Sequence, residues 1–416
     1  MSPTARPRLS LYYAALFVAI GFYMPYFPLW LDTIGLDAAT IGIVLTAPMV
    51  ARLVALPFLG ALADRFRSPA MPLRLYTFGA AAAIGALFLV SGPVAIAVVL
   101  GIAGAFWGVT VPVADAVAVR QSRAGGTDYG TVRVWGSAAF VAATVGGGWL
   151  VGVVTGHAVL PVLFIAFGAA AIASMLLRLP PDVEPLNLPS APMAGGTLRF
   201  AVVVVAAGLV QASHAFVYAF GSIYWEARGF APAVIGALWA TGVVAEIVLF
   251  RYGRHILSRV SPATLIGIGA AAAVVRWIAM ALEPGLASTF LVQALPGLSF
   301  GATHLGLVFF ISEAVPPRRA SAAQAVAAST MGIGMASLTA VSGLLYAALG
   351  ANGFLAMAAT GSAGLAVLVA GLALVSRRVR DAAATPAASG AGDPLVVVSV
   401  LQPQSAGSAG TRVEPS

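Results

Sequence analysis

The chain has 416 residues, of which 60% are hydrophobic and only 9% are charged. Soluble domains carry about 25% charged residues, so this composition excludes a single water-soluble core and indicates a polytopic α-helical membrane protein. A transmembrane β-barrel is excluded because the apolar runs are continuous and longer than the ~10 residues of a barrel strand. The chain has no cysteine, which excludes disulfides, thiolate metal sites and cysteine nucleophiles.

Twelve apolar segments have the length of about 20 residues that crosses a bilayer. They fall in two groups of six, at about 10–31, 38–62, 72–91, 94–119, 132–155 and 158–177, and at about 199–225, 233–254, 262–282, 286–312, 320–349 and 352–375. We therefore predict an N-terminal six-helix bundle at 1–178, a Pro-rich cytoplasmic linker at 179–198, a C-terminal six-helix bundle at 199–378 and a disordered cytoplasmic tail at 379–416.

Arginine marks one side of the predicted bundle. All 22 basic residues are arginine, and they concentrate before the first span and after the even-numbered spans, whereas the opposite loops carry Arg228 alone. The positive-inside rule then predicts that both termini are cytoplasmic, in a multi-pass protein of the cytoplasmic (inner) membrane. This placement accounts for the net charge of +8 without a nucleic-acid partner.

Two short motifs repeat at an offset of 194 residues. Gly-Leu-x4-Ile-Gly at 35–42 has the same spacing as Gly-Phe-x4-Ile-Gly at 229–236. The offset aligns Arg52 in the second span with Glu246 in the eighth, and Arg65 with Arg259. The match predicts a duplicated six-helix unit in which equivalent helices carry opposite charges at similar depth. Chance matching in a sequence rich in Gly and Ile is the alternative.

Glu246 interrupts the apolar run IGALWATGVVAEIVLF at 235–250. A carboxylate at the centre of a membrane helix costs at least roughly 2.5–3.5 kcal/mol, and such residues usually face a bundle interior or a water-filled path. Arg276 in the ninth span is a nearby cation, and an ion pair between the two has a structural and a functional interpretation, both of which stay open.

The seventh span carries a polar face. Gln211, His214 and Tyr218 stand at positions i, i+3 and i+7 and therefore share one side of a helix. We favour a water-accessible cavity lined by these residues over interhelical hydrogen bonding. Trp239 in the eighth span is expected to face the same interior.

Two further ionisable residues lie within spans. His304 in the tenth span is either a proton relay, because imidazole titrates near physiological pH, or a packing histidine among small residues. Asp115 lies near the cytoplasmic end of the fourth span, five residues before Arg120, where a local ion pair or a gate is expected.

The loop after the second span resembles the major facilitator signature G-x-x-x-D-R-x-G-R. It reads GALADRFR at 60–67, with Arg67 in place of the second glycine and Ser68 in place of the following arginine. The resemblance implies a cytoplasmic gating network that includes Asp64 and Arg65.

Other segments are similar to the phenylpropionate permease family, which is akin to lactose-permease-like proton symporters. They are PYFPLWL at 25–31, YGTVRVWGS at 129–137, SHAFVYAFGSIYW at 213–225 and VVRWIAM at 274–280, and the similarity runs through most of residues 9–375. The resemblance implies a twelve-helix fold and proton-coupled movement of a small organic solute, such as an aromatic acid. It also implies a carboxylate, an arginine and a histidine on the eighth, ninth and tenth helices, where this chain has Glu246, Arg276 and His304. Leu307 stands where those symporters have a further glutamate.

We therefore predict a proton-coupled transporter that moves a small solute by alternating access, works as a monomer and needs no cofactor or metal. Its predicted proton-coupling residues are Glu246 and His304, its substrate-binding residues are Arg52, Gln211, His214, Tyr218, Trp239 and Arg276, and its gating residues are Asp64, Arg65 and Asp115. A proton-driven exporter of hydrophobic compounds and a nucleoside or sugar symporter are the alternatives. An enzyme is disfavoured because no nucleophile–base or metal constellation is evident in the sequence.

Overall fold

A computed structural model describes residues 5–123, 129–154, 156–179, 198–257 and 259–384, and in these ranges the chain is helical without a β-strand. Met1–Val375 form one compact unit and Ser376–Ser416 another. Most of the predicted linker, at 180–197, and of the predicted tail, at 385–416, lies outside the described residues. The helices are α1 (Ala5–Thr33), α2 (Ala38–Ala63), α3 (Ala70–Ala86), α4 (Pro93–Arg123), α5 (Tyr129–Val154), α6 (Val159–Met175), α7 (Leu198–Ala212), α8 (Ala215–Ala227), α9 (Pro232–Arg251), α10 (Gly253–Leu257), α11 (Pro262–Ala281), α12 (Leu286–Val292), α13 (Thr303–Ala314), α14 (Pro317–Leu349) and α15 (Gly353–Ala384).

Eleven helical segments of the described residues are long and apolar enough to cross a membrane. The last of them, Ala322–Arg378, has 57 residues, well over twice the roughly 20 that a bilayer needs. It contains parts of two helices, α14 and α15, which are separated by a turn at Gly350–Asn352. When this segment is counted as two, the described residues provide the twelve spans that the sequence predicts, and the predicted all-α membrane fold is confirmed.

Two of these spans are interrupted. The seventh consists of α7 and α8 with Ser213 and His214 between them, because both side chains hydrogen-bond backbone carbonyls of the preceding turn. The tenth consists of α12, a π-helical turn at Gly297–Ala302 and α13. Pro296 precedes the π-helical turn and cannot donate a helical hydrogen bond. Interrupted membrane helices expose backbone polar groups, which are tolerated where protein surrounds them.

The predicted repeat is visible in α2 and α9. Gly35 and Gly229, which the offset aligns, both have positive φ, at 84° and 78°, in the turn before each helix. On α2, Val50 and Val54 are 47% and 60% exposed, and their counterparts Val244 and Val248 on α9 are 47% and 53% exposed. The two helices therefore present equivalent faces to the outside of the bundle.

Close backbone approaches between helices of the two groups of six lie toward one end of the bundle. We call it the arginine-poor end; it carries the loops at 34–37, 228–231 and 350–352. A Cβ on Gly42 of α2 would lie 2.8 Å from the backbone nitrogen of Gly343 on α14, and a Cβ on Gly236 of α9 would lie even closer to the Thr144 carbonyl oxygen on α5. The Tyr26 hydroxyl of α1 donates a hydrogen bond to the same carbonyl. We call these four backbone positions, Gly42, Gly343, Gly236 and Thr144, the closed seam.

Candidate functional site

Glu246 lies on the face of α9 that packs against the π-helical turn. Its Cγ is 3.8 Å from the position that a Cβ on Gly301 would take, and the neighbouring Ala245 carbonyl oxygen is 3.0 Å from the corresponding position on Gly297. Among the described residues, the carboxylate forms no hydrogen bond and no ion pair within 4 Å. Arg276 is within electrostatic range of it. Glu246 is thus a half-buried carboxylate with a cation nearby but no direct partner.

Arg52 occupies the equivalent place on α2. Its Cγ would be 2.5 Å from a Cβ on Gly108 of α4, so its stem runs across that glycine much as Glu246 runs across Gly301. The side chain is exposed and forms no hydrogen bond or ion pair among the described residues. Since a step of 100° per residue places Arg52 opposite the exposed Val50 and Val54, it does not lie on their face. The structure therefore supports the equivalence of Arg52 and Glu246 but does not pair them.

Arg276 has a different direct partner from the one considered at the level of sequence. Its Nη2 donates a 2.7 Å hydrogen bond to Oε1 of Gln293, and its guanidinium carbon lies 4.4 Å from the centre of the Trp277 ring. The arginine is only 3% exposed. Arg276 thus interacts with Glu246 through its charge over a longer distance and not through a direct salt bridge.

The polar face of the seventh span divides into two parts. The buried His214 ring places Nε2 3.1 Å from the Ser299 hydroxyl, and Gln211 donates a 3.2 Å hydrogen bond to the Phe300 carbonyl. Both side chains therefore join the seventh span to the π-helical turn, as the interhelical alternative expects, and the cavity lined by these residues stays a prediction. Tyr218 is half-buried and is within electrostatic range of Glu246 and Arg276.

Two other predicted residues are half-buried near this group. Trp239 stacks on Tyr218 with ring centres 5.9 Å apart, and its Nε1 donates to the Ser222 hydroxyl at 3.0 Å. His304 lies 6.2 Å from the ring centres of both Phe250 and Phe300. Since it forms no hydrogen bond among the described residues, its role as a proton relay stays a prediction.

The three predicted gating residues lie apart from this group. Asp115 accepts a 2.7 Å hydrogen bond from the Tyr13 hydroxyl, which joins α4 to α1. The side chain of Arg120, its predicted ion-pair partner, lies outside the described residues. Asp64 ends α2, and Arg65 beside it is exposed. A gating role for these residues stays a prediction.

Sequence reasoning missed Gln293 and Ser299, which hold Arg276 and His214. Gln293 had a signal, because an amide within an apolar span is costly unless a neighbouring helix satisfies it. Ser299 had none, since a serine in a membrane helix can bond to its own backbone. Its contact depends on the π-helical turn, which the sequence did not predict.

The sequence profile of the MFS_1 like family matches residues 7–356. The chain is 31% identical over 373 residues to the probable 3-phenylpropionic acid transporter of Escherichia coli, covering 84% of this chain and 93% of that protein. It is 28% identical over 349 residues to the maltose permease of Geobacillus stearothermophilus, covering 80% and 86%.

Among solved structures, the nucleoside transporter NupG superposes with a TM-score of 0.74 at 18% identity, covering 89% of this chain and 99% of that one. An inward-facing, occupied bacterial homologue of the human lysosomal transporter Spinster superposes with a TM-score of 0.69 at 16% identity, covering 92% and 98%. At these identities the structural likenesses establish the fold alone.

Proposed function

The chain belongs to the MFS_1 like family of membrane transporters, and on that premise we propose that it couples the movement of a small organic acid to that of a proton. The two six-helix halves, at 1–178 and 199–378, are the proposed moving bodies. They rock about a shared site and expose it to either side in turn. One chain contains both halves, so a monomer is the proposed working unit.

The distribution of arginine supports an orientation in the cytoplasmic membrane. With the arginine-rich end and both termini in the cytoplasm, the closed seam lies on the outer side. Arg52 and Glu246 each follow a glycine of the seam, Gly42 or Gly236, by ten residues. That separation is about 15 Å of helix, which places both charges deeper in the membrane than the seam. The arrangement described here is then a conformation closed to the outside.

The proposal of proton coupling rests on Glu246. A buried ion pair that loses one charge leaves the other uncompensated, whereas Glu246 has no direct partner among the described residues that would be left unpaired when it takes up or releases a proton. Arg276 favours the charged carboxylate through its field. A solute anion at Arg276 would neutralise that field and so favour a proton on Glu246, which would link the movement of the two.

The proposed solute is a small aromatic acid. Arg52 and Arg276 supply positive charge at two sites, and the stacked rings of Tyr218 and Trp239 supply a flat apolar surface beside Arg276. The name of the Escherichia coli relative, a probable 3-phenylpropionic acid transporter, agrees with this class of compound.

Uptake of labelled 3-phenylpropanoate into proteoliposomes with an imposed pH gradient tests the proposal. Glu246→Gln keeps the size of the side chain but cannot exchange a proton. We expect it to lose accumulation against a gradient and to retain exchange at equal solute concentrations. Glu313→Gln is the matched control, because Glu313 is exposed near the end of α13, and it should transport like the wild type.

Full accumulation by Glu246→Gln would rule out the proposed role of this residue. If collapse of the proton gradient left solute flux unchanged in the wild type, symport itself would be wrong. Solute uptake into everted vesicles that is driven by protons leaving their lumen would instead support the exporter.

A further inference from the structure

Arg276 and Gln293 form a buried pair with unused hydrogen-bond donors. Each residue is 3% exposed, and a single hydrogen bond, from Arg276 Nη2 to Gln293 Oε1, joins them. Arg276 Nε and Gln293 Nε2 are buried and have no hydrogen-bond partner among the described residues. Since the great majority of buried polar side-chain atoms are hydrogen-bonded, two unused donors on one bonded pair indicate a missing acceptor.

The chemistry of the pair defines that acceptor. Arginine has only donors, and the one acceptor of the glutamine side chain is occupied by Arg276, so the remaining amide nitrogen donates as well. The pair therefore offers a positive charge and unused donors from two side chains. A carboxylate, with a negative charge and two acceptor oxygens, complements it.

Aromatic side chains lie near Arg276. The Trp277 ring lies 4.4 Å from the Arg276 guanidinium carbon and limits the directions in which the guanidinium can turn. Tyr218, which is within electrostatic range of Arg276, stacks on Trp239. A ligand with an acid group at the pair therefore has an aromatic surface next to it.

We propose that Arg276 and Gln293 together bind the carboxylate group of the solute, and that Gln293 selects an aromatic acid over its neutral analogue. This inference rests on the proposed transport function. In the proposed complex, Arg276 Nε and Gln293 Nε2 each donate to the solute carboxylate. Gln293 also keeps Arg276 away from a direct ion pair with Glu246, so that the cation remains available to the solute.

Isothermal titration of the purified full-length chain with 3-phenylpropanoate and with 3-phenylpropanamide, its neutral analogue, tests the site. The wild type should bind the acid more tightly than the amide. Gln293→Leu removes the amide donor at similar volume and should weaken binding of the acid roughly tenfold or more, while binding of the amide should change by less than about twofold. Gln324→Leu is the matched control, because Gln324 is exposed on α14.

Equal affinity of the wild type for the acid and the amide, or an unchanged preference for the acid in Gln293→Leu, would overturn the site. The comparison of the two compounds on the wild type does not depend on the fold of any variant. Gln293→Glu gives a second test, because its carboxylate should occupy Arg276 and abolish the preference for the acid. Tight binding of the acid together with flux independent of the proton gradient would disprove symport and leave the carboxylate site standing.

Discussion

The helices α2 and α9 have the same framework and different chemistry. Each begins after a glycine turn, contacts the other half at the closed seam, and carries one charge across a glycine of a neighbouring span. Arg52 forms no hydrogen bond or ion pair among the described residues, whereas Glu246 lies near Arg276 and the half-buried Tyr218. The repeat therefore sets where a charge is placed, and the surroundings in each half decide what that charge can do.

The interrupted helices explain why the polar groups collect in the second half. The first and fourth spans, α1 and α4, are continuous, whereas the equivalent seventh and tenth spans are broken. The break in the seventh span frees the Val210 carbonyl, which accepts a hydrogen bond from His214, and the π-helical turn of the tenth span presents the Phe300 carbonyl, which accepts one from Gln211. Buried polar side chains need such partners in a membrane, so an unbroken pair of helices could not hold this network.

Exchanging the charges of α2 and α9 should impair transport most severely. If position alone mattered, Arg52→Glu combined with Glu246→Arg would preserve function. We expect uptake of 3-phenylpropanoate to fall by more than about 100-fold, because an arginine on α9 would face Arg276, and an uncompensated buried charge costs roughly 3–5 kcal/mol. The measurement is initial uptake at equal protein in the membrane.

Arg52→Met is the companion variant, since it keeps a long stem across Gly108 without the charge. It should lower uptake by about tenfold, the value of one charge-assisted contact. Accumulation by the exchanged protein at the wild-type level would show that the two halves are interchangeable, contrary to the asymmetry described here.

In α2, α9 and their neighbours, some features could be predicted from the sequence and others could not. The twelve spans, and the equivalence of Arg52 and Glu246, follow from the length of apolar runs and from a spacing of 194 residues. The hydrogen-bond partner of Arg276 could not be predicted. The depth of Glu246 and of other polar residues in the membrane can be estimated from the sequence, but depth does not fix the side-chain rotamers that decide which of them Arg276 bonds. The burial of His214 depends on the break beside it and on the π-helical turn opposite, which are tertiary features that periodicity does not encode.

Filling the closed seam should have an intermediate effect. Gly42→Ala and Gly236→Ala each place a methyl group against backbone of the other half, and overpacking of this kind costs typically 1–3 kcal/mol. We therefore expect the outward-open population to rise by roughly 5- to 150-fold at most. Since the chain has no cysteine, Ser222→Cys supplies a unique reporter, and Ser222 is only 2% exposed.

The rate at which a membrane-impermeant maleimide labels Ser222→Cys from outside measures that population. Gly146→Ala is the control, because a Cβ on Gly146 of α5 would have no heavy atom within 4 Å. Labelling that is equally slow in both seam variants and the control would mean that the seam does not limit opening. A difference between Gly42→Ala and Gly236→Ala would instead show which of the two contacts between the halves limits it.

The smallest effect concerns the way in which the two equivalent helices begin. Asp37 caps α2 by accepting hydrogen bonds from the Thr40 backbone nitrogen at 3.0 Å and from its hydroxyl at 2.8 Å, whereas Ala231, its counterpart before α9, offers no side-chain cap. We expect Asp37→Ala to lower the melting temperature by roughly 1–2 °C, and Ala231→Asp to raise it by a similar amount.

The pH dependence separates the cap from other effects of these substitutions. The hydrogen bonds from Thr40 hold the pKa of Asp37 below its ordinary value of 3.8. Because the folded-state pKa is lowered, the cap is fully present above that ordinary value and is lost progressively as the pH falls through the folded-state pKa. The difference in melting temperature between the wild type and Asp37→Ala should therefore be constant from neutral pH down to about 5 and shrink below 3.8. A difference that persisted in acid would mean that Asp37 stabilises α2 through packing and not as a charged cap. The starts of α2 and α9 would then not differ in capping, despite their different residues.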